Sequence, residues 1–120
     1  MSAAENTSFL FKGIAIDDRT REYVEKRLVS LDKFVKNILK VEVEIDLDKK
    51  GKFRVEVMIH TPRNMFRAED TTDSVEASTD MVVDELQNQV THLKDRLRTL
   101  KKRGALSLKK KMVVDEGARF

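Results

Sequence analysis

The feature that most constrains the fold is the longest uninterrupted run with helical periodicity, from Asp73 to Lys102. Thirty residues at the usual helical rise would form a helix of roughly 45 Å. We expect Asp73 and Glu76 to cap its first turn and Gly104 to end it. Apolar residues recur in this run at spacings of seven, four and three, which places them on one stripe of the helix: Val75, Val82, Leu86, Leu93, Leu97 and Leu100.

The charge of this helix changes sign along its length. Seven acidic residues and no basic residue lie between Glu69 and Glu85, whereas six cations crowd the far end. Those cations are Lys94, Arg96, Arg98, Lys101, Lys102 and Arg103. The helix dipole explains a charge preference in the first and last turns only. The excess of cations at the far end indicates a basic surface that binds a partner. The alternative is a face that only contacts solvent.

The whole chain shows the same asymmetry. Residues 1–93 hold 14 Lys/Arg and 18 Asp/Glu, a charge of −4, whereas residues 94–120 hold 10 and 3, a charge of +7. A basic end on a slightly acidic body is typical of phosphate binding. Charge alone does not distinguish RNA from DNA, anionic lipid or an acidic protein.

Composition indicates a globular protein of one domain. The chain has 120 residues, of which 40% are hydrophobic and 38% charged, and no apolar run approaches the ~20 residues of a membrane span. We find no secretion signal and no cysteine, so disulfides and thiolate metal sites are excluded and the cytoplasm is the expected location. We expect one domain over residues 1–103, followed by a mobile basic tail over residues 104–120.

Alternating apolar and charged residues predict strands. Residues 40–47 and 53–59 alternate strictly and should form an antiparallel hairpin around a loop containing Gly51. Weaker patterns predict a first strand over residues 8–16 and, after a turn at residues 61–64, a fourth over residues 65–69.

A second amphipathic helix should lie between the first two strands, capped by Asp17 or Asp18. Its apolar stripe consists of Val24, Leu28, Leu31, Val35 and Ile38. Its polar side carries Arg19, Lys26 and Lys33 seven residues apart, with Arg27 and Lys36 adjacent, but Glu22, Glu25 and Asp32 dilute this charge. On pattern alone, a binding role and a solvated face both stay open.

The predicted order is therefore β-α-β-β-β-α, an α+β fold. A right-handed crossover would make the first two strands parallel and place both helices on one face of a four-stranded sheet. The other face should present polar residues to solvent: Glu42, Glu44, Arg54, Glu56, Met58 and His60.

Catalysis is not indicated by the sequence. His60 falls on the outward period of a strand and His92 lies off the apolar stripe of the long helix, so both are interpreted as surface histidines. Asp80, Asp84 and Glu85 lack a partner histidine and are interpreted as a solvated acidic face, not as metal ligands. No phosphate-binding glycine loop is present. We therefore expect neither an enzyme nor a cofactor.

Several nucleic-acid modules are also discounted. The chain has no GxxG loop of the KH type, and its third strand lacks the aromatic pair on which RRM domains stack bases. Six Phe, one Tyr and no Trp leave few aromatic residues for base stacking. What remains is a binder of folded RNA that contacts the backbone through helical Lys and Arg.

Four stretches carry a resemblance to a known family. They are "REYVEKRLVSLDKF" at the first helix, "FRVEVMIHTP" on the third strand, "FRAED" on the fourth and "DMVVDELQNQVTHLKDR" on the long helix. In this order the chain, over about residues 8–103, resembles the short class of ribosome hibernation factors, the family of the ribosome-associated inhibitor and the hibernation promoting factor. The resemblance implies the same β-α-β-β-β-α fold, similar to a double-stranded-RNA-binding domain with an extra first strand.

The resemblance also implies a function. Such a protein would occupy the decoding groove of the small ribosomal subunit, where mRNA and the A-site and P-site tRNAs lie, and would hold idle ribosomes inactive. The partners would be the small subunit and its rRNA, without a membrane or a small-molecule substrate. The long class has a carboxy-terminal dimerisation domain that this sequence lacks, so pairing of ribosomes would require a separate dimerisation factor.

Family contacts come from basic residues on both helices, and this sequence matches them in part. Arg27 and Lys33 match, while Ser30 stands where a lysine is common. Family members usually carry Lys, Arg and Lys where this chain has Glu85, Asn88 and His92. The expected rRNA contacts are therefore Arg19, Lys26, Arg27 and Lys33 on the first helix, and Lys94, Arg98, Lys101 and Lys102 toward the end of the second.

Two other functions stay open at this point. The chain could be a double-stranded-RNA-type module for another RNA, or a diverged paralogue that binds a protein through its acidic sheet and helix head. The sequence does not decide whether a hibernation factor of this kind would promote ribosome dimers or hold single ribosomes idle.

Overall fold

The computed structural model describes the backbone of residues 6–111 and the side chains of residues 6–102. It has the predicted element order, with one short 3-10 helix added after the first helix. The elements are β1 (Thr7–Lys12), α1 (Asp18–Val29), the 3-10 helix (Ser30–Lys33), β2 (Lys40–Leu47), β3 (Phe53–His60), β4 (Met65–Thr72) and α2 (Val75–Lys111).

The four strands form one mixed sheet in the order β1-β2-β3-β4. β1 pairs with β2 in parallel, whereas the β2–β3 and β3–β4 pairs are antiparallel. This confirms the topology expected from the strand–helix–strand order. Val43 faces Val57, which faces Ala68, so the inward residues of neighbouring strands lie side by side.

The core lies between one face of the sheet and the two helices. The inward positions of β2, β3 and β4 are buried, as are Val24 and Leu28 of α1 and Val82 and Leu86 of α2. Burial of this apolar surface is the main favourable contribution to folding. The strict alternation in β2 and β3 follows from it, because one face of each strand must be apolar and the other is free to be charged.

The beginning of α1 confirms the prediction, and its end differs. Asp17 is the N-cap, since its carboxylate accepts a hydrogen bond of 2.8 Å from the Thr20 N–H. The α-helix ends at Val29 instead of continuing toward Ile38. The Ser30 hydroxyl donates to the Arg27 carbonyl and so competes for a helical acceptor, after which the chain tightens into the 3-10 helix.

Two strands have different lengths from those predicted. β1 ends at Lys12 and not at Ile16, because Gly13 adopts a left-handed φ of 68° that breaks the extended conformation. β4 continues to Thr72 instead of ending at Glu69, since its pairing with β3 runs along the whole strand.

The start of α2 corrects the predicted cap. Ser74 is the capping residue: its hydroxyl accepts a hydrogen bond of 3.0 Å from the Ala77 N–H. Asp73 lies one residue earlier and forms an ion pair with Lys52. The prediction that Asp73 and Glu76 cap the first turn of α2 is therefore wrong, and the N-cap lies one residue later.

The end of α2 also differs from the prediction. The helix continues through Gly104 to Lys111, so the predicted stop at Gly104 is wrong. One glycine costs a helix about 1 kcal/mol, a penalty that helix-favouring neighbours such as leucine and lysine can offset. The predicted mobility of residues 104–120 stays a prediction, and residues 112–120 lie outside the described residues.

The chain divides into two units. The sheet, α1 and the beginning of α2 belong to Met1–Val90, and the rest of α2 belongs to Thr91–Phe120. Within the part of the chain that is described, no helix is both long and apolar enough to cross a membrane.

Candidate RNA-binding surface

Three of the predicted cations of the first unit are exposed. Arg19 and Lys26 lie on α1, and Lys33 is the last residue of the 3-10 helix. Their spacing of seven residues corresponds to about two helical turns, although Lys33 lies beyond the regular α-helix. The side chains are available to an external anion.

Arg27 differs from these three because it is bound within the protein. Its Nε lies 2.8 Å from Asp80 Oδ1, and its Nη2 lies 3.7 Å from Asp84 Oδ1. Its side chain is 33% exposed. The predicted RNA contact is therefore engaged by carboxylates of α2, which partly neutralise its charge.

Tyr23 completes this cluster between the two helices. Its hydroxyl donates to the Asp80 carboxylate at 2.8 and 2.9 Å. This hydrogen bond raises the pKa of Tyr23 above its ordinary value, with smaller contributions from desolvation and from the negative charge. We call Tyr23, Arg27 and Asp80 the interhelical cluster, and it joins α1 to α2.

The first turns of α2 present further carboxylates. Glu76, Asp80 and Asp84 are four residues apart and therefore share one side of the helix. This is the side that contacts Arg27. Glu85 and Asn88 are also exposed. This part of α2 would repel an RNA backbone.

The four predicted contacts of the second unit are exposed on one side of their helix. Lys94, Arg98, Lys101 and Lys102 fall within about 100° around the helix axis. Arg98 forms an ion pair with Asp95 one turn earlier. An exposed pair of this kind contributes little to stability and is readily exchanged for a phosphate. This side of the helix is suited to contact a polyanion.

A pair of cations was missed by sequence reasoning. Lys36 and Arg63 line a hollow of about 180 Å³, together with Asn37, Thr61 and Asn64. Both cations are exposed. Arg63 belongs to the β3–β4 turn, so no local pattern could join it to Lys36. The turn itself was predicted, and it is held by a hydrogen bond of 2.9 Å from the Thr61 N–H to the Asn64 carbonyl.

The helix-free face of the sheet carries a network of ion pairs. Glu44 of β2, Glu56 of β3 and Glu69 of β4 lie side by side across three strands. Arg54 reaches Glu44 at 2.7 Å, Glu69 at 2.6 Å and Glu56 at 3.4 Å, and Lys12 reaches Glu44 at 3.0 Å. The paired side chains shield one another from solvent, so the helix-free face of the sheet is less exposed than predicted.

The network shifts the protonation of its members. The hydrogen bonds that Arg54 donates to Glu44 and Glu69 raise the pKa of Arg54 well above its ordinary value despite desolvation. In return, hydrogen bonds from Arg54 and Lys12 lower the pKa of Glu44. Arg54 is thus held as a cation by three carboxylates and is not available to a phosphate.

The two histidines and the carboxylates show no metal-binding arrangement. Across residues 6–102, no group of three or more such side chains is arranged to hold a metal ion. His60 Nε2 lies 3.6 Å from Glu42 Oε2, and His92 is exposed.

Comparison with known proteins identifies the family. A family model described as sigma 54 modulation protein / S30EA ribosomal protein matches residues 8–98. The crystal structure of the Protein Y N-terminal domain from Thermus thermophilus is 32% identical with a TM-score of 0.64, and the match covers 73% of this chain and 98% of that one.

A second solved structure supports the fold alone. It is a ribosomal subunit interface protein from Coxiella burnetii, 19% identical with a TM-score of 0.66, and the match covers 75% of this chain and 98% of that one. The family match extends over most of the chain, from Ser8 in β1 through α1 and the other strands to Arg98 in α2. This chain therefore belongs to the sigma 54 modulation protein / S30EA ribosomal protein family, a family of ribosome-associated proteins.

Proposed function

We propose that this protein is a ribosome hibernation factor. It binds the decoding groove of the small ribosomal subunit, covers the positions of mRNA and of the A-site and P-site tRNAs, and so inhibits translation in idle or stressed cells. It acts in the cytoplasm by occupying the groove, without catalysis and without a cofactor.

The observation that carries this proposal is the family match over residues 8–98. Exposed cations in both units support it, because a binder of folded RNA gains most of its affinity from contacts between phosphates and Lys or Arg. The contacts in the first unit are Arg19, Lys26 and Lys33, and those in the second are Lys94, Arg98, Lys101 and Lys102.

Arg27 makes a smaller contribution than the other cations of α1. It can bind a phosphate only by giving up the hydrogen bond of 2.8 Å to Asp80. The exchange replaces one charge-assisted hydrogen bond by another. Arg27 therefore adds less binding free energy than an exposed lysine does. Arg27 mainly holds α1 against α2.

The proposal is tested by charge reversal on α1 and the 3-10 helix that follows it. The double variant Lys26→Glu, Lys33→Glu should lose most of its co-sedimentation with purified small subunits. The matched control is Lys49→Glu, Lys50→Glu, which makes the same change of charge at exposed lysines in the β2–β3 loop. Each substitution should change the free energy of unfolding by less than ~0.5 kcal/mol, so loss of binding will not reflect unfolding.

Salt dependence gives a second measurement on the same proteins. If about six phosphates are neutralised, the logarithm of the association constant should fall with the logarithm of salt concentration with a slope of about −4 to −5. Equal binding by the Lys26, Lys33 double variant and its control would contradict the assigned contacts. If the natural protein fails to bind ribosomes and binds an isolated RNA duplex, it is a module for another RNA.

A further inference from the structure

The second unit carries a stripe of three leucines whose side chains are exposed or half-buried. Leu97 is 53% exposed, Leu100 is 36% exposed and Leu93 is half-buried. They follow one another at spacings of four and three and fall within about 60° around the helix axis. We call Leu93, Leu97 and Leu100 the leucine stripe. Its width and spacing are those of a coiled-coil seam.

The stripe occupies about one heptad of a longer helix. The backbone is helical from Thr91 to Lys111, roughly 30 Å, but the next a and d positions after Leu100 are Gly104 and Ser107. Single exposed leucines are common on protein surfaces and require no explanation. Three exposed or half-buried leucines on one side of a helix do require one, because a contiguous apolar stripe is typical of a surface that binds another protein.

The residues beside the stripe select the partner. With Leu93 and Leu100 at heptad position d and Leu97 at position a, Arg96 occupies position g, and Lys94 and Lys101 occupy position e. These flanking positions determine which helices pair, through charges that face one another across the seam. All three are cations, so the complementary partner carries anions there.

A second copy of this chain does not meet that requirement. In a parallel pair, Arg96 of one copy would face Lys101 of the other, and in an antiparallel pair identical cations would face each other. Either arrangement places like charges beside the apolar seam, which opposes pairing. The charge pattern thus favours a different molecule over self-association.

We propose that the leucine stripe binds an acidic amphipathic helix of a partner protein. The partner presents leucine, isoleucine or valine to the stripe and glutamate or aspartate to Arg96 and Lys101. This is the helix-to-helix mode of recognition, in which apolar anchors supply affinity and flanking charges supply orientation and selectivity.

Two of the four proposed ribosome contacts stay accessible when such a helix binds. Arg98 and Lys102 lie about 140° and 180° around the helix from Leu93, so they point away from the stripe, whereas Lys94 and Lys101 flank it. Arg98 and Lys102 can therefore contact phosphates while the stripe holds a partner helix. The inference thus goes beyond the hibernation function and adds a protein partner to it.

Three synthetic peptides of about 21 residues, or three heptads, test the proposal. The first has leucine at positions a and d and glutamate at e and g. The second has the same leucines with lysine at e and g, and the third has the same glutamates with serine at a and d. Binding of each fluorescent peptide to the full chain is measured by anisotropy. The first should bind at least tenfold more tightly than either of the others, a ratio equivalent to ~1.4 kcal/mol.

Substitutions locate the binding site. Leu97→Gln, Leu100→Gln should weaken binding of the first peptide at least tenfold, a factor equivalent to ~1.4 kcal/mol. The matched control is Leu10→Gln, Leu47→Gln, which changes two exposed leucines of the first unit and should leave peptide binding unchanged. Retained co-sedimentation of the stripe variant with ribosomes separates this inference from the ribosome contacts.

Four results would overturn the inference. Equal binding of the lysine peptide would show that the flanking charges do not select the partner, and equal binding of the serine peptide would show that the helix only attracts anions. Self-association through Leu97 and Leu100 in analytical ultracentrifugation would identify a second copy as the occupant. Loss of ribosome co-sedimentation in the stripe variant, with peptide binding retained, would assign the leucines to the ribosome contact.

Discussion

Replacing Asp80 by asparagine should have opposite effects on stability and on RNA binding. The substitution keeps the size of the side chain and an oxygen that can accept the hydrogen bond from Tyr23. It removes the negative charge that lies 2.8 Å from Arg27 Nε. Arg27 is then free for a phosphate, and the first turns of α2 repel RNA less.

The loss of stability can be estimated from the geometry. The side chains of Arg27 and Asp80 are 33% and 41% exposed, so the pair is screened by solvent and stabilises the fold by no more than about 0.5–1 kcal/mol. For a unit of this size the melting temperature should fall by about 2–8 °C. Thermal unfolding followed by circular dichroism measures this change.

The gain in binding follows from one additional phosphate contact. The salt dependence of ribosome binding should steepen by about 0.7–0.9 in slope, and affinity should rise roughly 3- to 10-fold. Filter binding to small subunits at several salt concentrations measures both quantities. The assay uses the full chain throughout.

Asp84→Asn is the matched control for this substitution. It removes the same charge from the same side of α2, but Asp84 is 73% exposed and lies 3.7 Å from Arg27 Nη2. Its cost in stability should be under ~0.5 kcal/mol, and it should not steepen the salt slope. Indistinguishable melting temperatures and salt slopes for the two variants would refute the role assigned to the interhelical cluster.

Three further predictions concern the helix cap, the sheet network and the family positions. Ser74→Ala should lower the free energy of unfolding by about 1 kcal/mol, whereas Asp73→Ala should leave it nearly unchanged; equal losses in urea unfolding would contradict the assigned cap. Because the folded-state pKa of Glu44 is lowered, its stabilisation by Arg54 is present above its ordinary pKa of 4.5 and is lost as the pH falls through the folded value. The difference in unfolding free energy between the natural protein and Arg54→Met should therefore shrink below about pH 4.5, and a difference independent of pH would argue against the network. Glu85→Lys should tighten ribosome binding severalfold in filter binding, and unchanged affinity would mean that this face of α2 does not approach RNA.

Sequence reasoning succeeded where one local pattern determined the structure. The bounds of β2 could be predicted because its apolar side faces the core and its charged side does not. Asp17 could be predicted as a cap because its side chain and the Thr20 N–H are only three residues apart. Element order and strand directions followed from the order of these patterns.

The remaining features depend on contacts that are distant in sequence. Arg27 and Asp80 are separated by 53 residues, so no helical pattern could reveal that a predicted RNA contact would be held within the protein. Leu97 and Leu100 have the same periodicity as the buried Leu86, and periodicity does not distinguish a stripe that meets a core from one that meets solvent. The end of α1 was missed because the buried residues Leu31, Val35 and Ile38 continue its helical spacing past Val29.

The central claim is that this protein and the ligands of the decoding groove occupy the same place. Purified small subunits are first loaded with mRNA and a P-site tRNA, and binding of the fluorescent full chain is compared with binding to empty subunits. The account predicts that loaded subunits bind the protein at least tenfold more weakly, equivalent to ~1.4 kcal/mol. It also predicts that added protein prevents tRNA from binding to empty subunits. Equal affinity for loaded and empty subunits would contradict the account.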